Sequence, residues 1–133
     1  MQQITRAGEP LDVAGTLPSA GQAAPAMTLT NTELQDVTLD TYAGKRKVFN
    51  IIPSVDTPTC AMSTRRFNEL ASKLADTVVL VVSADLPFAA KRFCGAEGLD
   101  NVETLSTFRH PEFRETWGVA LCNNPMEGCV PVR

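Results

Sequence analysis

Of the four cysteines in this chain, at positions 60, 94, 122 and 129, Cys60 has the surroundings in which a sulfur can do chemistry. It closes the segment PSVDTPTC (53–60) and opens the amphipathic stretch CAMSTRRFNELASKLAD. A helix starting within a residue or two of Cys60 places its sulfur beside backbone N–H groups that lack an intrahelical acceptor, at the positive end of the helix dipole. Both features favour the thiolate, which is the nucleophilic form. Thr57 brings a hydroxyl that could bond to that sulfur or to a bound oxygen. Pro53 and Pro58 stiffen the loop, and Pro53 is placed to shield the sulfur from water and larger oxidants. The residues by themselves leave a second reading equally open, in which Cys60 is an inert cysteine buried in a first helical turn.

The elements that must position this loop are legible on either side of it. VFNII (48–52) and TVVLVVSA (77–84) are β-rich apolar runs without alternation, which predicts strands buried on both faces, as in a parallel sheet. Between them Phe67, Leu70, Ala71 and Leu74 recur at helical spacing, opposite Arg65, Glu69 and Lys73. Strand, helix, strand makes a βαβ unit, with a right-handed crossover expected. Pro87 opens a second short helix, PFAAKRFCGAEG, ending at Gly95 or Gly98. VETLST (102–107) reads as a third strand, and HPEFRETWG (110–118) as a short helix stopped by Gly118. Ahead of this core, residues 2–14 predict a small hairpin turning on Gly8, Glu9 and Pro10. Residues 17–27 read as an extended connection, and 28–41 as a short strand pair with Asn31 near its turn. The expected architecture is α/β, in three layers, with one domain over residues 1–133.

Composition narrows the function classes. With 133 residues, 44% of them hydrophobic, the chain can bury one sizeable core. Twelve basic against 15 acidic residues, a net charge of -3, argue against a nucleic-acid surface. The short basic run Lys45, Arg46, Lys47 reads as a solvated turn. VVLVV (78–82) is too short to span a bilayer, and residues 1–16 lack the apolar centre of a signal peptide. The expectation is a soluble, cytoplasmic protein, where thiols are kept reduced. No C-x-x-C is present to make a thioredoxin-type pair or a paired-cysteine zinc site. Cys122 and Cys129 with His110 fit no common metal spacing. Phe113 and Trp117 are expected in the core or an interface, and His110 on the surface where a helix begins.

PSVDTPTC contains Pro-x-x-x-Thr-x-x-Cys, which resembles the active-site motif of peroxiredoxins. The resemblance extends through KVFNIIPSVDTPTCAMSTRRFNEL, VVLVVSADLPFAAKRFCGAEGLDNV and LSTFR, which look like the thiol peroxidases, the atypical two-cysteine subfamily. It runs from about residue 2 to about residue 128, and SADLPFA and RFCGAEG are its most specific segments. It implies a thioredoxin-like fold carrying an N-terminal β-hairpin. It also implies that Cys60 is the peroxidatic cysteine, with Thr57 holding the peroxide and Pro53 shielding the sulfur. Cys94, in RFCGAEG, matches the resolving cysteine of the same chain. The implied reaction reduces hydrogen peroxide and small organic hydroperoxides, forms an intramolecular disulfide, uses thioredoxin as reductant and needs no cofactor or metal. A homodimer is implied as well. Because a disulfide needs Cα atoms within roughly 7 Å, local unwinding around Cys60, Cys94 or both is expected during turnover.

The tail departs from this pattern. After a glycine matching Gly128 the family reads Gly-Leu-x-Ala-Arg-Ala, whereas this chain reads Gly-Cys-Val-Pro-Val-Arg to Arg133. The family's active-site arginine falls at Val132, and its final hairpin and helix have no counterpart. A truncation, or a one-base shift of reading frame over the last six residues, is the expectation. Losing one positioned donor would cost roughly 10²–10³ in rate, and one sheet edge would be exposed. Two rivals to an active peroxidase therefore stand: a weakly active or inactive relative serving at most as a redox-sensitive binding protein, and a thiol-disulfide oxidoreductase, which the missing C-x-x-C disfavours.

Overall fold

The computed structural model describes residues 1–133. Its centre is the pair of apolar runs, which form parallel neighbours β5 (Arg46–Ile51) and β6 (Thr77–Ser83), in register Phe49↔Leu80 and Ile51↔Val82. On the far side of β6 lies β7 (Glu103–Ser106), also parallel, with Val82 opposite Leu105. The short strands β3 (Thr28–Thr30) and β4 (Asp36–Thr38) continue the sheet antiparallel, giving the order β4-β3-β7-β6-β5. Successive residues of β6 point to opposite faces, and both faces are dry, which is why the run does not alternate in polarity. Leu80 and Val82 pack with Phe113, Trp117 and Val119 on one side. Val81 packs with Ile52, Ala61 and Phe93 on the other. The result is the thioredoxin-like α/β arrangement, in three layers, that the sequence led us to expect. No helix is long and apolar enough to cross a membrane.

The helices are α1 (Pro58–Ala71), α2 (Pro87–Glu97) and α3 (Glu112–Thr116). Each of the two long ones starts on a proline, and α2 ends at Gly98 in the left-handed conformation. The buried face of α1 is Cys60, Ala61 and Thr64, with Phe67 half-buried. Leu70 and Leu74, which the helical spacing assigned to that face, are exposed, and Leu74 lies beyond the helix end. The buried positions are all in the first two turns of α1.

The N-terminal hairpin is present, but its turn is Ala7–Gly8, both at positive φ, while Glu9 and Pro10 belong to the second strand. Two such residues match the twist of the flanking strands. The hairpin, β1 (Gln2–Arg6) and β2 (Glu9–Ala14), gains a third strand that the sequence did not suggest, β8 (Ala120–Cys122), with Val13 opposite Leu121. At the other sheet, β5 is the edge strand. The tail meets it only at Ile51, whose N–H and C=O both bond Arg133 (2.8 and 2.9 Å).

Phe113 and Trp117 stack in the core with centroids 5.2 Å apart. His110 is not a surface residue: its side chain is 19% exposed, between Asp36 (3.0 Å, a short but poorly aligned bond) and Glu112 (3.3 Å). His110, then the Thr30 hydroxyl and Arg109, hold the Asp36 carboxyl below its ordinary value of 3.8. A depressed carboxyl contributes stability that is present above its unfolded pKa and is lost as pH falls through the folded one. Asp36→Asn should therefore flatten the loss of stability below pH 3.8 relative to wild type. Urea midpoints at neutral and acid pH read this directly, and an equal acid loss in both proteins would refute it.

Candidate active site

The loop between β5 and α1 delivers three of the predicted site residues to one place. Pro53, Thr57 and Cys60 line a single cleft of about 380 Å³. Cys60 is at its base, 3% exposed, in the first turn of α1. The first backbone bond of the helix runs from Ala61 N–H to Thr57 C=O (2.9 Å). Pro58 has no N–H, and the N–H groups of Thr59 and Cys60 find no acceptor in the chain. Two donors are thus left beside the sulfur, where a developing negative charge would be favoured.

Thr57 does not cap the helix with its side chain. Its hydroxyl donates to Ser54 C=O at 2.9 Å. A hydroxyl has one proton, so this bond leaves Thr57 Oγ1 able only to accept. The expectation that Thr57 bonds the sulfur is not met; what remains open to it is a bond from a peroxide O–H.

The rest of the cleft comes from far along the chain. The hairpin contributes Ile4 and Leu11, β8 contributes Leu121, and the last loop contributes Met126. These apolar walls were missed in the sequence because no local pattern ties residue 4 or 126 to residue 60. Val132 and Arg133 also line it.

Cys94 lies elsewhere. It opens on a second, polar cleft of about 430 Å³ bordered by Lys91, Asp100 and Glu103, and no residue lines both clefts. Burial, and then the charge of Asp100, push its thiol above the ordinary cysteine value. All four cysteines are free. Yet Cys60 and Cys94 pack on one apolar cluster with Val55, Phe93 and Leu99. Their helices are joined across the surface by Arg65 and Glu97, two bonds of 3.1 and 2.8 Å, and by Asn101 N–H to Asn68 Oδ1 at 2.8 Å. Arg92 and Asp56 add a looser pair at 3.6 Å. Exposed contacts of this kind are individually weak.

Comparison with known proteins decides the family. Residues 19–132 match the Redoxin family model. The chain is 50% identical over 130 residues to a thiol peroxidase of Mycobacterium bovis, covering 98% of this chain and 78% of that one. The chain belongs to the thiol peroxidase family. Among solved structures, a peroxiredoxin-like protein from Aquifex aeolicus superposes with a TM-score of 0.86 at 31% identity, covering 98% of this chain and 75% of that one. A thiol peroxidase from Chromobacterium violaceum gives 0.88 at 24% identity, covering 96% and 74%, a likeness of fold.

Proposed function

We propose that this chain reduces hydrogen peroxide and small organic hydroperoxides through Cys60. The observation that carries the reading is the position of Cys60 in the first turn of α1, on a cleft whose apolar walls are joined by Arg6 and Arg133, and beside two unpartnered N–H groups. The Cys60 thiolate attacks one peroxide oxygen, the O–O bond breaks, and the other oxygen leaves as alcohol or water after taking a proton. Cys60 becomes a sulfenic acid. Thr57 accepts the bond from the attacked O–H, Pro53 limits access, and the walls Ile4, Leu11 and Leu121 suit an alkyl group.

The Cys94 thiolate then attacks the Cys60 sulfur, the S–O bond breaks and the hydroxide takes a proton to leave as water, forming the Cys60–Cys94 disulfide, which an external dithiol such as thioredoxin reduces. The two cysteines share a core cluster but open on separate clefts, so part of α1 or α2 must unwind first. Each helix buries only three residues, Cys60, Ala61 and Thr64 in α1 and Pro87, Ala90 and Phe93 in α2, so little core packing opposes a local opening of either. Leu86, Phe88 and Phe108 are exposed apolar side chains flanking one polar junction, and they support a homodimer through this face. Four unpaired thiols fit a reducing, cytoplasmic setting.

Mass spectrometry after one equivalent of hydrogen peroxide tests the scheme. Wild type should form the Cys60–Cys94 disulfide. Cys94→Ser should keep the oxidation step within about threefold, since Cys94 lines no part of the Cys60 cleft, and should accumulate a trappable sulfenic acid. Because Cys94 is held protonated by burial and Asp100, disulfide formation should accelerate as pH rises. A wild-type chain that gains oxygen at Cys60 and never forms the disulfide would remove Cys94 from the scheme.

A further inference from the structure

The loop before α2 holds a carboxylate that the scheme above does not use. Asp85 Oδ1 accepts from Ser54 Oγ at 2.7 Å, and Oδ2 accepts from Val55 N–H at 2.9 Å and from Ser83 Oγ at 3.0 Å. Its own N–H donates to Ser83 Oγ (3.2 Å), and its C=O accepts from Ser106 Oγ (2.5 Å). Three strand ends are thus tied at one residue: β5 through Ser54 and Val55, β6 through Ser83, and β7 through Ser106.

Ser54 relays the hold. Its hydroxyl, while donating to Asp85, accepts from Asp56 N–H at 3.1 Å. Its C=O accepts from Thr57 N–H at 3.2 Å and from Thr57 Oγ1 at 2.9 Å. The last bond decides that Thr57 presents lone pairs, not a proton, to the cleft. Neither partner touches the cleft itself: the residues from this loop that line it are Pro53, Thr57, Pro58, Thr59 and Cys60.

We propose that Asp85 is the positioning residue of the peroxide step, acting through Ser54 to set Thr57 for a peroxide between Thr57 and the sulfur. This rests on the peroxidase reading above. Without the carboxylate, Ser54 and Val55 lose their acceptor and the loop samples other arrangements. Cys60 stays in α1 with its two free N–H groups, so its reactivity toward a reagent that needs no orienting loop is retained. Asp85 also precedes α2, so the same residue holds the Cys60 loop and anchors the start of the Cys94 helix.

The test compares two reactions of Cys60 in the reduced full chain: stopped-flow oxidation by hydrogen peroxide, and alkylation by iodoacetamide followed at the Cys60 peptide. Asp85→Ala should lose roughly 100-fold in the peroxide rate, the scale of a misplacement near 1 Å, with alkylation within about threefold of wild type. Asp85→Asn, which keeps one acceptor, should fall between. Ser54→Ala, the milder change should Asp85→Ala not fold, should lose roughly tenfold on the same scale, again in the peroxide reaction only. A peroxide rate unchanged in folded Asp85→Ala or in Ser54→Ala overturns the proposal, as does a loss matched by an equal loss in alkylation. A wild-type chain no faster than free cysteine with peroxide, yet normally alkylated, overturns the peroxidase reading and this role with it.

Discussion

Cys60→Ser should abolish the fast reaction with hydrogen peroxide, lowering the second-order rate on the order of 10⁴-fold or more, the scale of losses when a covalent nucleophile is removed. The serine hydroxyl is a far weaker nucleophile, and none of the other three sulfurs can take over. Cys94 opens on a separate polar cleft and is held protonated by burial and by Asp100. Cys122 Sγ sits 3.6 Å from both Met1 Sδ and Asp12 C=O, and it does not line the Cys60 cleft. Cys129 lies in the loop after β8 and likewise lines no part of the Cys60 cleft. The residual rate should be that of ordinary thiols. Stopped-flow traces of the two proteins under excess peroxide give the ratio. A variant within tenfold of wild type would mean that another sulfur does the work, and the reading of the Cys60 cleft would fall.

How much of this site was legible in the sequence follows from how local each interaction is. Pro53, Thr57 and Cys60 lie within one loop and one helical turn, so their spacing already implied a shared cleft, and the structure provides one. The parallel core was legible because burial on both faces suppresses alternation in β6 over its whole length. The register of α1 was not. Leu70 and Leu74 keep the helical spacing, but burial is confined to the first two turns, at Cys60, Ala61 and Thr64, and the helix ends at Ala71 before Leu74. β8 is three residues long and exists because β2, more than a hundred residues earlier, offers it a partner. Asp85 and Ser54 sit in segments that the sequence singled out, SADLPFA and PSVDTPTC, but their pairing was not legible for the same reason. Each is an ordinary polar residue in a turn, and their bond appears only when β5 and β6 lie side by side.

The same non-local logic yields the largest expected loss of stability, at Gly118. The sequence marks this glycine as the stop of a short helix, and it does follow α3 at φ +67°. A left-handed backbone costs a non-glycine residue of order 1–3 kcal/mol. Here a second term adds to it. A Cβ at Gly118 would overlap the backbone of Thr16 and Leu17, and a Cβ at Gly15 would meet the backbone of Glu115 and Gly118. Backbone cannot rotate aside as a side chain can, and the segment is pinned between Trp117 and the fully buried Val119. Overpacking of this kind adds roughly 1–3 kcal/mol, so Gly118→Ala should cost about 4 kcal/mol. Gly44 supplies the control, at φ +82° with open space around it, and Gly44→Ala should cost only about 1 kcal/mol. Urea unfolding of the two variants separates strain from overlap, and equal losses would show that packing against residues 16 and 17 contributes nothing. The contact also reaches the active site. Gln2 Nε2 donates to Gly15 C=O at 2.7 Å and to Gly118 C=O at 3.2 Å, fastening β1 to this junction. Since the hairpin carries Ile4 and Leu11 to the Cys60 cleft, prying the junction apart should loosen that wall before the parallel core melts, so Gly118→Ala should lose peroxide reactivity at urea concentrations where its far-UV circular dichroism is still native.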